Sequence, residues 1–220
     1  MAPSGTPPAP HLQRHLMEQL RATGQVTDPR VLDAVGAVPR SEFVPAEHRG
    51  AAYDDVALPI GHDQTISQPL VVAVMTQALE LQPSDRVLEV GTGSGYQAAV
   101  LRQLVERVVT VERIPALAQE AADRLARLGL DGIEVHTGDG TLGWPDAAPY
   151  DAVVVTAGGP EVPAPLLDQL ADGGRLVAPV GPRHAQELVR VRRSGDRTEC
   201  EDLGPVAFVP LLGAAGWPAA

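Results

Sequence analysis

The residues best able to do chemistry are the eight from Glu89 to Tyr96, Glu-Val-Gly-Thr-Gly-Ser-Gly-Tyr, between a short β-type run (Arg86 to Val90) and a helical stretch (Gly95 to Leu104). Glycines at such a junction let the backbone turn sharply and approach a nucleotide closely. An unliganded strand-to-helix turn would use the same residues, so the spacing alone leaves both uses open. The dinucleotide fingerprint has glycine at its sixth position, where this chain has Tyr96, which disfavours a pyrophosphate cradle. Glu89 would repel a phosphate and suits a cationic ammonium. Glu112 closes the next β-type run, where a carboxylate can accept both hydroxyls of a ribose. Gly138-Asp139-Gly140 follows the third run and offers a carboxylate to the exocyclic amine of an adenine. Taken singly, Glu112 reads as a solvated strand-end charge and Asp139 as an Asp-Gly turn. Three carboxylates at the C-terminal ends of three successive strands form a constellation, because ligands of open α/β sheets bind there.

Alternating elements must position those residues. After Arg107 to Val111, a helix is predicted over Pro115 to Leu128, with Leu117, Ala121, Leu125 and Leu128 on one face. Strands follow near Ile133 to His136 and at Tyr150 to Thr156. This βαβ alternation implies an α/β fold with a mostly parallel sheet covered on both faces. One helical stretch, Pro165 to Ala171, precedes the β-type runs Arg175 to Val180, Gln186 to Arg193 and Val206 to Leu211, so the C-terminal end of the sheet is read as antiparallel. Upstream, Leu12, Leu16 and Leu20 recur at helical spacing, and Asp28-Pro29 caps a second helix through Val35.

Composition narrows the partners. The 220 residues suit one domain. The net charge is −11, every basic residue is Arg, and aromatics make up 3%, so phosphate-neutralising and base-stacking surfaces are lacking and no nucleic-acid partner is expected. A single cysteine, Cys200, cannot form an intramolecular disulfide, which suits a reducing cytoplasm. Residues 1 to 10 read as a disordered Pro-rich tail rather than a signal peptide. No run approaches the roughly 20 apolar residues of a membrane span. The histidines and the cysteine show no ligand spacing, so no metal is expected.

A wider pattern is more specific. Leu58-Pro59-Ile60-Gly61-His62-Asp63-Gln64-Thr65-Ile66-Ser67-Gln68-Pro69, followed by Val87 to Gln97, Val111-Glu112-Arg113, Gly138-Asp139-Gly140, Val154 to Ala157 and Phe208 to Leu211, resembles the protein-L-isoaspartate O-methyltransferase family over roughly residues 30 to 217. Gln64 to Pro69 is more distinctive than the glycine loop, which many methyltransferases share. Two places depart from the family pattern. Asp63 stands where glycine is usual and puts a negative charge beside the presumed catalytic loop, and Gly158-Gly159 replaces an Ala pair.

The resemblance implies a Rossmann-like class I methyltransferase sheet in one domain over 11–217, with a helical N-terminal segment and catalytic loop over 11–80 and the core over 85–217. It implies S-adenosylmethionine as cofactor, held by Gln64, Thr65, Ile66, Ser67, Glu89, Gly91, Thr92, Gly93, Glu112, Asp139 and Gly140, with Ser67 as the catalytic serine. A serine just before Pro69 would also serve as a helix cap. The implied activity is methylation of the α-carboxylate of isoaspartyl residues in damaged peptides and proteins, a repair reaction, by a cytoplasmic monomer with no membrane partner. Three other readings stay open: a methyltransferase for an unmodified Asp of a dedicated biosynthetic peptide, a small-molecule methyltransferase, and a nonenzymatic peptide-binding module.

Overall fold

The structure, a computed structural model, describes residues 10–218. Of the span read as a tail, residues 1–9 lie outside the described residues, and Pro10 opens the first helix. Helices α1 (Pro10–Ala22) and α2 (Pro29–Ala37) form the N-terminal segment, and Asp28 caps α2 by accepting the Arg30 N–H at 2.9 Å. Strands β1 (Leu58–Gly61) and β2 (Gln64–Ile66) then form an antiparallel hairpin. That hairpin departs from the sequence reading, which has this stretch as loop; three- and four-residue strands are too short to show a period. Helix α3 (Pro69–Ala78) leads into the core.

The core sheet has seven strands in the order β5-β4-β3-β6-β7-β8-β9. Strands β3 (Arg86–Val90), β4 (Arg107–Glu112), β5 (Ile133–Thr137) and β6 (Tyr150–Val155) are parallel. Strand β7 (Leu170–Val180) is parallel to β6, whereas β8 (Gln186–Ser194) and β9 (Arg197–Val206) run antiparallel. Helices α4 (Tyr96–Arg102), α5 (Pro115–Arg127) and α6 (Ala164–Asp168) are the crossovers. One face of the sheet packs Leu88, Val90, Val111, Val153 and Val155 with Leu166 of α6. The other packs Val87, Val108, Ala152 and Val154 with Met75 of α3 and Leu101 of α4. Burial on both faces removes the period-2 alternation from β3 and β6, and each fully buried Val or Leu contributes about 1.5–3 kcal/mol.

Two sequence expectations are corrected at the C-terminal end. The helix read over Pro165 to Ala171 stops at Asp168, because Leu170 already pairs with Tyr150 and begins β7. The register then shifts through Gly173, at φ +77°, and Gly174, where a Cβ would lie 2.8 Å from the Ala171 carbonyl. The last strand is Arg197–Val206 rather than Val206 to Leu211. Residues 197–202 are exposed throughout, and an edge strand wet on both sides carries charge in place of alternation.

Candidate active site

The chain order reverses between β3 and β6: β4 and β5 extend one way from β3, and β6 returns on its other side. Ligands of open α/β sheets bind in the crevice above such a switch point. Here the crevice holds the glycine loop on one wall and Thr156, just past β6, on the other. Gly91 takes φ +97°, and a Cβ there would collide with the Thr156 hydroxyl. That hydroxyl donates to the Gly91 carbonyl at 2.6 Å and to the Val90 carbonyl at 3.1 Å. Gly140 completes the cradle, since a Cβ on it would lie 2.6 Å from Val90 Cγ1. Gly95, at φ +86°, starts α4, and Arg124 of α5 donates to the Ser94 carbonyl at 2.8 Å, tying the loop to the next crossover.

Glu112 is nearly buried at the end of β4 and lines the crevice with Gly91, Gly93 and Arg113. Its Oε2 accepts the Gly93 N–H at 2.9 Å and its Oε1 the Ile114 N–H at 3.0 Å. A carboxylate has about four acceptor positions, so two remain for a vicinal diol. Asp139 lines a second pocket, with Gly138 and Gly213, that shares Arg113 and Leu212 with the crevice. It accepts the Thr141 N–H at 2.9 Å, the Thr141 hydroxyl at 2.6 Å and the Ala214 N–H at 2.7 Å, which leaves one acceptor position. Burial works to raise its pKa, but the bonds from Thr141 and Ala214 outweigh it and hold the carboxyl below the usual Asp value.

Glu89 is not brought to the crevice, which corrects its reading as a direct partner of an ammonium. Neighbouring residues on a strand face opposite ways. Val90 lines the crevice, whereas Glu89 is fully buried on the face that carries Val87. There Thr92 shares a 2.7 Å hydrogen bond with Thr110, and Thr110 donates to Glu89 Oε2 at 2.5 Å, while Oε1 has no partner among the described residues. Burial pushes the Glu89 carboxyl up to about 8, against the Thr110 bond and with the nearby Glu112 charge adding to it. Glu89 braces the loop from behind through Thr110 and Thr92.

Gln64 and Thr65 line the crevice beside the glycine loop. Thr65, Ile66 and Ser67 reach a space shared with Gly91, Thr92, Gly93 and Thr156, and Ser67 also faces an adjoining cavity with Ala57, Val71, Phe208 and Val209. The capping use of Ser67 is corrected: the N-cap of α3 is Gln68, and the Leu70 N–H is taken at 2.8 Å by Asp55. The Ser67 hydroxyl makes no hydrogen bond among the described residues. Gln186 braces the far wall, accepting the Phe208 N–H at 2.8 Å and donating to the Phe208 carbonyl at 3.2 Å. A Cβ on Gly158 would strike the Gln186 amide, and one on Gly159 would lie 2.9 Å from the Glu161 carbonyl, so a side chain at either would have to displace a neighbour. Thr156 and Gln186 escaped the sequence reading as site residues, although the rule that ligands gather at strand C-termini points to Thr156.

The place of Tyr96 fits the reading that disfavours a pyrophosphate cradle. Its ring is buried edge-on against Phe43 at 5.4 Å, where a dinucleotide fold needs glycine for close helix approach. Glu112 beside the glycine cradle keeps two acceptor positions open, and Asp139 keeps one. An open, mostly parallel sheet with this cradle at its switch point defines a Rossmann-like, S-adenosylmethionine-dependent class I methyltransferase. The family model described as protein-L-isoaspartate(D-aspartate) O-methyltransferase matches residues 11–216, and the chain belongs to that family. A protein-L-isoaspartate O-methyltransferase of Methanoculleus marisnigri is 58% identical over 199 residues, covering 90% of each chain. One of Roseiflexus castenholzii is 55% identical over 205 residues, covering 93% of this chain and 94% of the relative. Among solved structures, a protein-L-isoaspartate O-methyltransferase superposes with a TM-score of 0.85 at 29% identity, covering 93% of this chain and 67% of the other.

Proposed function

We propose that this site performs the family's repair reaction, methylation of the α-carboxylate of isoaspartyl residues in damaged peptides and proteins, with Ser67 as the residue that touches the reacting carboxylate. The observation that carries the reading is that Ser67 and the glycine loop border one space, with an apolar-walled cavity opening beside the serine. Bound S-adenosylmethionine supplies an electrophilic sulfonium methyl group. Glu112 takes the ribose hydroxyls, Asp139 and Gly140 the adenine edge, and the backbones of Gln64 to Ser67 and Gly91 to Gly93 the amino-acid portion. Glu89 serves the same ligand indirectly, by stiffening the loop.

The substrate carboxylate, with a pKa of about 4, is ionised at neutral pH, so no residue has to remove a proton. What the chain supplies is alignment and dryness. Ser67 donates to one carboxylate oxygen and leaves the other directed at the methyl carbon. As the ester O–CH3 bond forms the S–CH3 bond breaks, so an anion and a cation give a neutral ester and a neutral thioether, and the apolar side chains of Val71 and Phe208 beside Ser67 suit that loss of charge. We assign the protein to the cytoplasm as a monomer; its one cysteine, exposed Cys200, supports a reducing compartment. Among the described residues no helix is long and apolar enough to cross a membrane.

The test is Ser67→Ala. Single-turnover methyl transfer to an isoaspartyl peptide should fall roughly 10- to 100-fold. Affinity for S-adenosyl-L-homocysteine and thermal stability should stay near wild type, because Ser67 caps no helix. Wild-type turnover by the variant would remove Ser67 from the reaction.

A further inference from the structure

Among the described residues Ser67 has no side-chain partner to fix it, yet alignment is what the reaction asks of it. Two residues that follow it are fixed, and by one group. Asp55, half-buried in the segment before β1, accepts the Gln68 side-chain amide at 2.8 Å on Oδ2 and the Leu70 backbone N–H at 2.8 Å on Oδ1. The first bond holds the residue next to Ser67. The second supplies the side-chain cap that Gln68, at the N-cap of α3, does not make for its own helix. Asp55 is held in turn. Arg40, almost wholly buried, donates to the carbonyl of neighbouring Val56 at 3.0 Å and lies over the Tyr96 ring at 5.1 Å. Tyr96 is the first residue of α4 and borders the same space as Ser67. The chain Gln68–Asp55–Val56–Arg40–Tyr96 thus links the serine segment to the end of the glycine loop across the site.

We propose that Asp55 is a positioning residue for methyl transfer, fixing the Ser67 hydroxyl against the glycine loop through its bonds to Gln68 and the α3 N-terminus. The proposal rests on the reading of Ser67 given above. Asp55 touches neither substrate nor cofactor in this arrangement, so its removal acts on kcat through Ser67 and leaves the adenosine-binding residues in place.

The experiment compares Asp55→Ala, Asp55→Asn, Ser67→Ala and the Asp55→Ala/Ser67→Ala pair in the full chain. The readouts are kcat and KM with an isoaspartyl peptide, S-adenosyl-L-homocysteine affinity by calorimetry, and thermal stability. Asp55→Ala should lower kcat roughly 10- to 100-fold, the range for a displaced catalytic group. S-adenosyl-L-homocysteine affinity should fall far less than kcat, since the side-chain anchors Glu112 and Asp139 are untouched. Asp55→Asn keeps an oxygen for the Leu70 N–H, and a flipped Gln68 amide can bond its new amide, so kcat should recover most of the loss. In the Ser67→Ala background, Asp55→Ala should cost little further kcat, because residues acting as one unit are non-additive. If Asp55→Ala unfolds the protein, Gln68→Ala, which removes one of the two bonds to Asp55, carries the same comparison with Ser67→Ala. Full additivity with an impaired Ser67→Ala, or wild-type kcat in folded Asp55→Ala, would overturn the positioning role alone. Wild-type kcat in Ser67→Ala would overturn the reading of Ser67 and this proposal with it.

Discussion

The backbone N–H of Gly93 donates to Glu112 Oε2 at 2.9 Å, so the glycine loop after β3 and the carboxylate that ends β4 form one unit. Removing that carboxylate both deletes the proposed acceptor for a ribose and frees the loop. Glu112→Ala should weaken binding of S-adenosyl-L-homocysteine by about 1 to 3 kcal/mol, the cost of leaving such groups unpaired. Calorimetry reads this directly, and an unchanged affinity would take Glu112 out of the site.

Glu89 makes stability depend on pH. Its folded pKa, raised to about 8 from 4.5, means that the folded state holds a proton the unfolded chain releases. The stability it contributes is fully present below about 4.5 and is lost as pH rises through about 8. Glu89→Gln copies the neutral acid at every pH. The stability of Glu89→Gln relative to wild type should therefore climb across that window and level off above it. Parallel profiles for the two proteins would show that Glu89 titrates normally.

Thr156 anchors the opposite wall. Thr156→Val keeps the shape but leaves the Gly91 carbonyl without its 2.6 Å donor. Cofactor affinity should drop by about 1 kcal/mol, between fivefold and tenfold. A variant that binds S-adenosyl-L-homocysteine as tightly as wild type would mean that the loop holds its shape without this bond.

Legibility from the sequence followed physical visibility. The glycine loop and the strands β3, β4 and β6 could be read because buried parallel strands give continuous apolar runs and their C-terminal ends are marked by turn residues and acids. Glu89 reads as a ligand from its type and its place at the strand end, while the alternation that turns it away from Val90 gives no polar pattern in a strand buried on both faces. Strand β9 was missed because its exposed acidic run lacks a period, and the β1–β2 hairpin because it is too short. Asp55 gave no local signal: its partners lie 13 and 15 residues away and depend on the hairpin between them.

Asp63 illustrates what the hairpin adds. His62 and Asp63 take φ +52° and +56°, both in the left-handed region, as the two central residues of a tight hairpin turn require. Asp tolerates that region better than most residues but less well than glycine. Asp63→Gly should raise stability by up to about 1 kcal/mol. Because the side chain is exposed at the turn tip, kcat on an uncharged isoaspartyl peptide should not change. Chemical denaturation checks the first expectation; a loss of stability would mean that the Asp63 side chain holds the turn.

The most direct measurement is transfer of labelled methyl from S-adenosylmethionine to paired synthetic peptides that differ only in Asp or isoAsp at one position. Label should pass to the isoaspartyl peptide, as a base-labile ester, and not to its Asp twin. Equal labelling of both, or labelling of the Asp peptide alone, would contradict assignment of this site to isoaspartyl repair.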